Sequence, residues 1–219
     1  MTRNLTSGRQ GAAKGKATSM VVFVHGYGAD GADLLGLADP LGPHLPNTVF
    51  YSPDAPEPCN GAPMGRQWFP IPWIDGSSEE AAQNGLLAAA NDLNAFLDAK
   101  LQEEGLAPDA LALVGFSQGA MMSLHIAPRR PTAIAGVVAI SGRLLSPDSL
   151  HEAVVKPPVL LIHGDQDPVV PFADMDLAGD ALVAAGFDTY GHVMEGTGHG
   201  IAQDGMQVAL AFLADRLPK

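Results

Sequence analysis

The chain has 219 residues, 47 % of them hydrophobic, which is enough to form the core of one large domain. Twelve Lys and Arg residues against 24 Asp and Glu residues give a formal net charge of −12. This charge argues against a nucleic-acid-binding protein, because such proteins need a concentrated basic surface. Cys59 is the single cysteine, which excludes an intrachain disulfide and suits a reducing compartment.

The first 20 residues lack the apolar core of a signal peptide, and no apolar run approaches the roughly 18 residues of a membrane span. We therefore expect a soluble, cytoplasmic protein with no integral membrane segment, either monomeric or homodimeric. Residues 1–19 contain the only basic cluster among scattered glycines, and we predict a partly flexible N-terminal segment there. Residues 20–219 are predicted to form a single domain.

Short apolar runs recur along the chain and predict buried strands, because they are continuous rather than alternating and rich in β-branched residues. They cover residues 20–24, 48–51, 111–114, 133–140 and 159–162. Helix-like segments separate them. Ser77 and Glu80 have capping-box spacing, and an apolar helical stripe follows at Leu86, Ala90, Leu93, Leu97 and Leu101. The alternation predicts an α/β fold, with a mostly parallel central sheet flanked by helices on both faces.

The segment from Pro53 to Gly76 does not fit this alternation. It contains six prolines and both tryptophans, Trp68 and Trp73. Long irregular loops in compact domains are usually functional, and the apolar content of this one argues against disorder. We expect it to pack over the edge or mouth of the sheet.

Ser117 lies in Gly115-Phe116-Ser117-Gln118-Gly119, a G-x-S-x-G pattern. The pattern alone is weak evidence, but here an apolar strand precedes it and a helix-compatible segment, residues 118–126, follows. This is the strand–turn–helix setting of a nucleophile elbow, in which the glycines give the serine room at a strained turn. We predict that Ser117 is a catalytic nucleophile.

A serine nucleophile needs a base and an orienting carboxylate, which follow it in the chain order Ser, Asp or Glu, His in this class of fold. Asp165 and Asp167 both follow the strand at 159–162, and the residues alone do not choose between them. Among the seven histidines, His199 is the predicted base, because it lies on a glycine-flanked loop after the carboxylates.

An oxyanion hole is predicted after the first strong strand, in Val24-His25-Gly26-Tyr27-Gly28. Its donors would be the backbone N–H groups of Tyr27 and Gln118. The alternative is an ordinary glycine-rich turn that binds phosphate. However, neither G-x-G-x-x-G nor G-x-x-x-x-G-K-[ST] occurs here, and H-E-x-x-H is also absent, so we expect no cofactor and no metal.

Four motifs in this order, HGYGADG (25–31), GFSQG (115–119), HGDQDPVVP (163–171) and GTGHG (196–200), resemble those of the phospholipase/carboxylesterase family of α/β-hydrolases. That family includes bacterial carboxylesterases and acyl-protein thioesterases. The resemblance implies an α/β-hydrolase without a large cap domain, with Ser117 as nucleophile and His199 as base. It also implies that the acid is Asp167, immediately before the proline, with Asp165 as a structural neighbour.

The expected activity is that of a serine carboxylesterase that hydrolyses short to medium acyl esters through an acyl-enzyme. An apolar acyl groove is predicted at Met64, Trp68, Phe69, Ile71 and Val170. The alternative is that these side chains only seal the proline-rich loop onto the body. Three other functions stay open: a thioesterase or lysophospholipase with the same triad, a non-enzymatic binding module, and an oxidoreductase or nucleotide binder.

Overall fold

The computed structural model describes residues 2–59, 62 and 64–219. Its centre is a seven-stranded sheet with the order β1-β3-β2-β6-β7-β8-β9, parallel except for β1, which runs antiparallel to β3. These strands are β1 (Ser7–Gly11), β2 (Ser19–Val24), β3 (Thr48–Pro53), β6 (Leu111–Phe116), β7 (Gly136–Ile140), β8 (Val159–Gly164) and β9 (Thr189–Met194). A separate hairpin is made by β4 (Glu57–Pro58) and β5 (Arg66–Gln67).

The central strands are buried on both faces, which explains their continuous apolar sequences. In β2, Met20, Val22 and Val24 pack into one core, whereas Val21 and Phe23 pack into the core on the other side. Helices cover both cores. They are α1 (Gly31–Leu35), α2 (Ala38–Leu41), α3 (Pro72–Asp75), α4 (Glu79–Glu104), α5 (Gln118–Ile126), α6 (Ala173–Ala184) and α7 (Gln203–Arg216).

Helices α4, α5 and α6 cover the first core, and α1, α2 and α7 cover the second. The predicted stripe of α4 is buried along its length. The predicted α/β-hydrolase architecture is therefore confirmed, and within the described residues no separate cap domain covers the sheet. In the same part of the chain, no helix is both long and apolar enough to cross a membrane.

Two local features differ from the sequence prediction. Helix α4 is capped by Ser78 rather than Ser77: the Oγ of Ser78 accepts a hydrogen bond from the N–H of Ala81, 3.1 Å away. The N–H of Ser77 is bonded to the carboxylate of Asp75 at the end of α3, so it is not available for the reciprocal capping-box bond with Glu80. Secondly, residues 7–11, within the predicted N-terminal segment, form the edge strand β1. The partial flexibility of residues 1–19 stays a prediction. The single domain over residues 20–219 also stays a prediction.

Candidate active site

Ser117 occupies the turn between β6 and α5, and residues 115–119 are called the elbow below. Its backbone has φ 54° and ψ −116°, a strained conformation for a residue with a side chain. The N–H of Ser117 donates to the carbonyl of Ile140 on β7, 2.8 Å away, which holds the strained residue in place. A Cβ on Gly119 would overlap the carbonyl of Val24, and one on Gly115 would overlap that of Gly119, so both positions require glycine.

His199 and Asp167 continue from Ser117 in one hydrogen-bonded line. The Oγ of Ser117 lies 3.1 Å from Nε2 of His199, and Nδ1 of His199 lies 2.7 Å from Oδ2 of Asp167. Because a carboxylate only accepts, Nδ1 carries the proton, and Nε2 is left to accept from the serine hydroxyl. The ring of Phe116 packs against the imidazole with 5.0 Å between centroids.

The second carboxylate oxygen of Asp167 accepts from the N–H groups of Val169 and Val170, at 2.8 and 2.9 Å. Nε2 of His163 lies 3.3 Å from Oδ2 and 3.0 Å from the carbonyl of Val170. Burial alone would raise the pKa of Asp167, but the hydrogen bonds from His199 and the two backbone N–H groups outweigh it and hold that pKa below its usual range. Asp167 is therefore ionised at neutral pH.

Asp165 has a different position. Its Oδ1 accepts a hydrogen bond from the N–H of Gly196, 2.7 Å away, at the start of the loop that carries His199. The N–H of Gln166 donates to the carbonyl of Thr197 in the same loop, at 3.0 Å. The structure thus brings Asp167 to the imidazole and Asp165 to the loop backbone.

Residues 25–29, called the β2 turn, lie directly beside the elbow. A Cβ built on Gly26 would be 3.2 Å from the Cβ of Ser117. Within the described residues, neither the N–H of Tyr27 nor that of Gln118 donates to a protein acceptor. Gln118 is the first residue of α5, where N–H groups lack intrahelical partners and the helix dipole is positive.

The five residues predicted to bind an acyl chain differ in how much of their surface is exposed to solvent. Met64 is 87 % exposed, whereas Trp68, at 0 %, has no accessible surface and cannot touch a substrate in this conformation. Phe69, Ile71 and Val170 are buried. Of the five, Phe69 lines a surface groove of about 110 Å³, together with Pro70, Pro72, Trp73, Leu86 and Leu145 among others.

Sequence reasoning missed Trp73, Leu145 and the side chain of Gln118. Trp73 is 54 % exposed, and the guanidinium of Arg143 lies 4.9 Å from its ring centroid and is ion-paired with Asp174 at 2.5 Å. No regular spacing in the sequence links Trp73, Leu145 and Gln118, so the sequence could not predict that they lie near one another. Among the described residues, no group of three or more His, Cys, Asp or Glu side chains is arranged to hold a metal ion.

A family model and individual proteins of known sequence both match this chain over most of its length. The model of the Phospholipase/Carboxylesterase family matches residues 11–217. Esterase YpfH of Escherichia coli is 31 % identical over 204 residues, which cover 93 % of this chain and 85 % of the relative. Acyl-protein thioesterase 1 of Neurospora crassa is 30 % identical over 221 residues, covering 94 % and 90 %.

A solved structure, that of esterase PE8, superposes with a TM-score of 0.92 at 41 % sequence identity, covering 98 % of this chain and 100 % of the other. The similarity therefore includes the sheet, both helical layers and the loops at the carboxyl ends of the strands, where the elbow lies.

Proposed function

Because this chain belongs to the phospholipase/carboxylesterase family, we propose that it is a serine carboxylesterase that hydrolyses esters of short to medium acyl chains. Its relatives, an esterase and a thioesterase, support hydrolysis of carboxylic esters or thioesters. The observation that carries the finer proposal is the unbroken hydrogen-bonded line from Ser117 through His199 to Asp167.

In the first step, the Oγ of Ser117 attacks the ester carbonyl while Nε2 of His199 takes the hydroxyl proton. Asp167 stabilises the imidazolium that forms and keeps the proton of Nδ1 in place. The carbonyl oxygen becomes an oxyanion, which accepts hydrogen bonds from the N–H groups of Tyr27 and Gln118. The intermediate then collapses, the C–O bond to the alcohol breaks, and His199 returns its proton to the leaving oxygen.

The second step is hydrolysis of the acyl-enzyme, in which the same groups act and water replaces the serine hydroxyl as nucleophile. A water molecule loses a proton to Nε2 of His199 and attacks the acyl-enzyme carbonyl. The same N–H groups hold the second oxyanion. Collapse breaks the bond to Oγ, which regains the proton from His199, and the carboxylic acid is released. The ester and one water molecule thus give an acid and an alcohol with the enzyme unchanged.

The acyl chain is proposed to lie in the groove of about 110 Å³ that Phe69, Trp73 and Leu145 help to line. Two contacts support this position. The carbonyl of Phe69 accepts from the side chain of Gln118, 2.7 Å away. A Cβ on Gly142, three residues before Leu145, would lie 3.0 Å from the carbonyl oxygen of Ser117. A groove that is short and open suits short to medium chains.

A second candidate is a thioesterase or lysophospholipase with the same triad. The 30 % identity to acyl-protein thioesterase 1 favours it specifically. The same attack and the same oxyanion apply to a thioester, with a thiol instead of an alcohol as leaving group. Ester and thioester substrates with one common acyl group separate the two activities by their kcat/KM values.

The test is hydrolysis of p-nitrophenyl esters from acetate to palmitate by the wild type and Ser117→Ala. We expect the wild type to hydrolyse the shorter esters, and the variant to lose about 10⁴- to 10⁶-fold in kcat, as triad enzymes do without their nucleophile. Equal rates for both proteins on every ester, and on a thioester control, would exclude the proposed nucleophile. A steep preference for long-chain emulsions over soluble short esters would contradict the proposed chain length.

A further inference from the structure

We infer that Trp68 and the side chain of Gln118 are positioning residues, which hold the β2 turn against the elbow so that the N–H of Tyr27 faces the reacting carbonyl. This inference rests on the proposed function. It gives a role to the segment Gly65-Arg66-Gln67-Trp68-Phe69, called the 65–69 segment, which lies between the elbow and the β2 turn.

The side chain of Gln118 ties the 65–69 segment to the elbow. Its Oε1 accepts from the N–H of Trp68 at 2.9 Å, and its Nε2 donates to the carbonyl of Phe69 at 2.7 Å. The whole residue is buried, so these bonds form without competition from water. An amide that is bonded at both ends has one orientation, and the first residue of α5 is thereby fixed to the 65–69 segment.

The indole of Trp68 ties the same segment to the start of the β2 turn. Its Nε1 donates to the carbonyl of His25 at 2.9 Å, and the two rings are 5.5 Å apart. Nε2 of His25 accepts from the N–H of Ala55 at 2.9 Å, because a backbone N–H can only donate. Nδ1 therefore carries the proton and donates to the carbonyl of Gly26 at 2.8 Å.

The end of the β2 turn is fixed by backbone bonds. The N–H of Gly28 donates to the carbonyl of Arg66, and the N–H of Arg66 donates to the carbonyl of Ala29, both at 2.8 Å. Tyr27 is thus held on both sides by the 65–69 segment while its own N–H stays available. A turn with two glycines would otherwise be mobile, because glycine restricts the backbone least.

Positioning matters here because an oxyanion donor works only at hydrogen-bond distance from where the negative charge develops. A displacement of about 1 Å can cost on the order of 100-fold in rate. Trp68 has no accessible surface, so its effect on catalysis cannot come from contact with the substrate. A fault in this network should therefore lower kcat and leave KM nearly unchanged.

The experiment compares the wild type with Trp68→Phe, which keeps an aromatic ring and removes the N–H that bonds His25. We expect kcat to fall about 10- to 30-fold with KM within about twofold, since the donor is displaced rather than removed. The Ki of a boronic acid, which forms a tetrahedral adduct, should rise in proportion to the loss of kcat/KM.

Tyr51→Phe is the matched control. It also removes one aromatic donor: the hydroxyl of Tyr51 donates to Glu104 at 2.7 Å and accepts from Arg9 at 3.2 Å, and neither of these partners belongs to the site. We expect a comparable loss of thermal stability with kcat unchanged. All assays are run below the measured Tm of each variant, so that loss of folded protein does not enter kcat.

If Trp68→Phe does not fold, Gln118→Met replaces it, because this change keeps the backbone N–H of residue 118 and removes both side-chain bonds. The same fall in kcat at constant KM is expected. The inference is overturned if the folded variant keeps its kcat and its boronic acid Ki within twofold of the wild type. Failure of the proposed function differs from this result, since Ser117→Ala would then be as active as the wild type.

Discussion

The two sides of Ser117 are built from different chemistry. On the imidazole side, residues 163–170 and 196–200 place the ionised carboxylate of Asp167 in a direct hydrogen bond with the ring of His199. On the opposite side, the β2 turn and the 65–69 segment contain no acidic residue, and the groups proposed to bind the substrate oxygen are neutral backbone N–H groups. The first side is specified by residue type, whereas the second is specified by how residues elsewhere hold the backbone.

The two sides should therefore respond differently to substitutions. In the proposed mechanism one side chain carries each role on the imidazole side, so a single substitution there should remove that role. No substitution removes a backbone N–H except one to proline, so the β2-turn side can only be displaced. Losses there should be graded and smaller.

Apart from the loss of Ser117 itself, the largest effect is expected from Asp167→Asn. The asparagine amide would present an N–H to Nδ1 of His199 and favour the wrong tautomer, so that Nε2 carries a proton and cannot accept one from Ser117. We expect kcat to fall about 10⁴-fold. Steady-state kinetics on p-nitrophenyl acetate measures it.

Asp165→Asn is the matched control for that prediction. The carbonyl oxygen of the new side chain can still accept from the N–H of Gly196, so activity should stay within about threefold of the wild type. Equal losses in the two variants would show that the carboxylates share one role, and the account of the imidazole side would be wrong.

At low pH, activity can be lost because the protein unfolds, and this loss must be measured separately from a loss of catalysis in the folded protein. Burial, aided by the charge of Arg129, lowers the pKa of His125 in α5 to about 4. The unfolded chain takes up this proton near pH 6.5 and the folded chain only near 4, so stability is lost as the pH falls through this window. We expect His125 to cost about 1 to 2 kcal/mol between pH 7 and pH 5.

Urea unfolding of the wild type and His125→Gln at these two pH values tests this. Glutamine does not titrate, so the variant should lose less stability by about that amount. His25 also has its pKa lowered, mainly by burial, and contributes to the remaining loss in the same direction. Identical losses in both proteins would contradict the buried, neutral state of His125.

The smallest effect is expected at the proposed acyl groove. Trp73→Ala removes one wall, so kcat/KM for the octanoate ester should fall about fivefold while that for acetate is unchanged, as apolar contact area is lost only for the longer chain. Leu87→Ala, a similarly exposed residue of α4 outside the groove, is the control. A uniform change for both esters would place the acyl chain elsewhere.

On the imidazole side, the residues predicted from their types, Ser117, His199 and Asp167, lie in one hydrogen-bonded line, and their catalytic roles stay predictions. Serine between glycines after an apolar strand, and a histidine between glycines, have few other uses together. The strands were also predictable, since a sheet covered on both faces requires continuous apolar runs such as residues 20–24. The N-terminal cap of α4 lies one residue later than predicted, at Ser78, and the N–H of Ser77 bonds Asp75 instead, a contact that depends on where α3 ends.

The other side was less predictable. Trp68 was one of five residues expected to line an apolar acyl groove, yet the structure buries it against His25. Its hydrogen bond joins residues 43 positions apart, and the bonds of Gln118 join residues 50 and 49 positions apart. Contacts of this separation arise from the topology of the sheet and leave no local pattern.

The most direct measurement is covalent labelling with a fluorophosphonate, an electrophile that reacts preferentially with activated serine nucleophiles. Intact mass spectrometry should show one phosphonyl group per chain, peptide mapping should place it on Ser117, and Ser117→Ala should stay unlabelled. Labelling of another residue, or no labelling of a folded wild-type protein, would contradict the account.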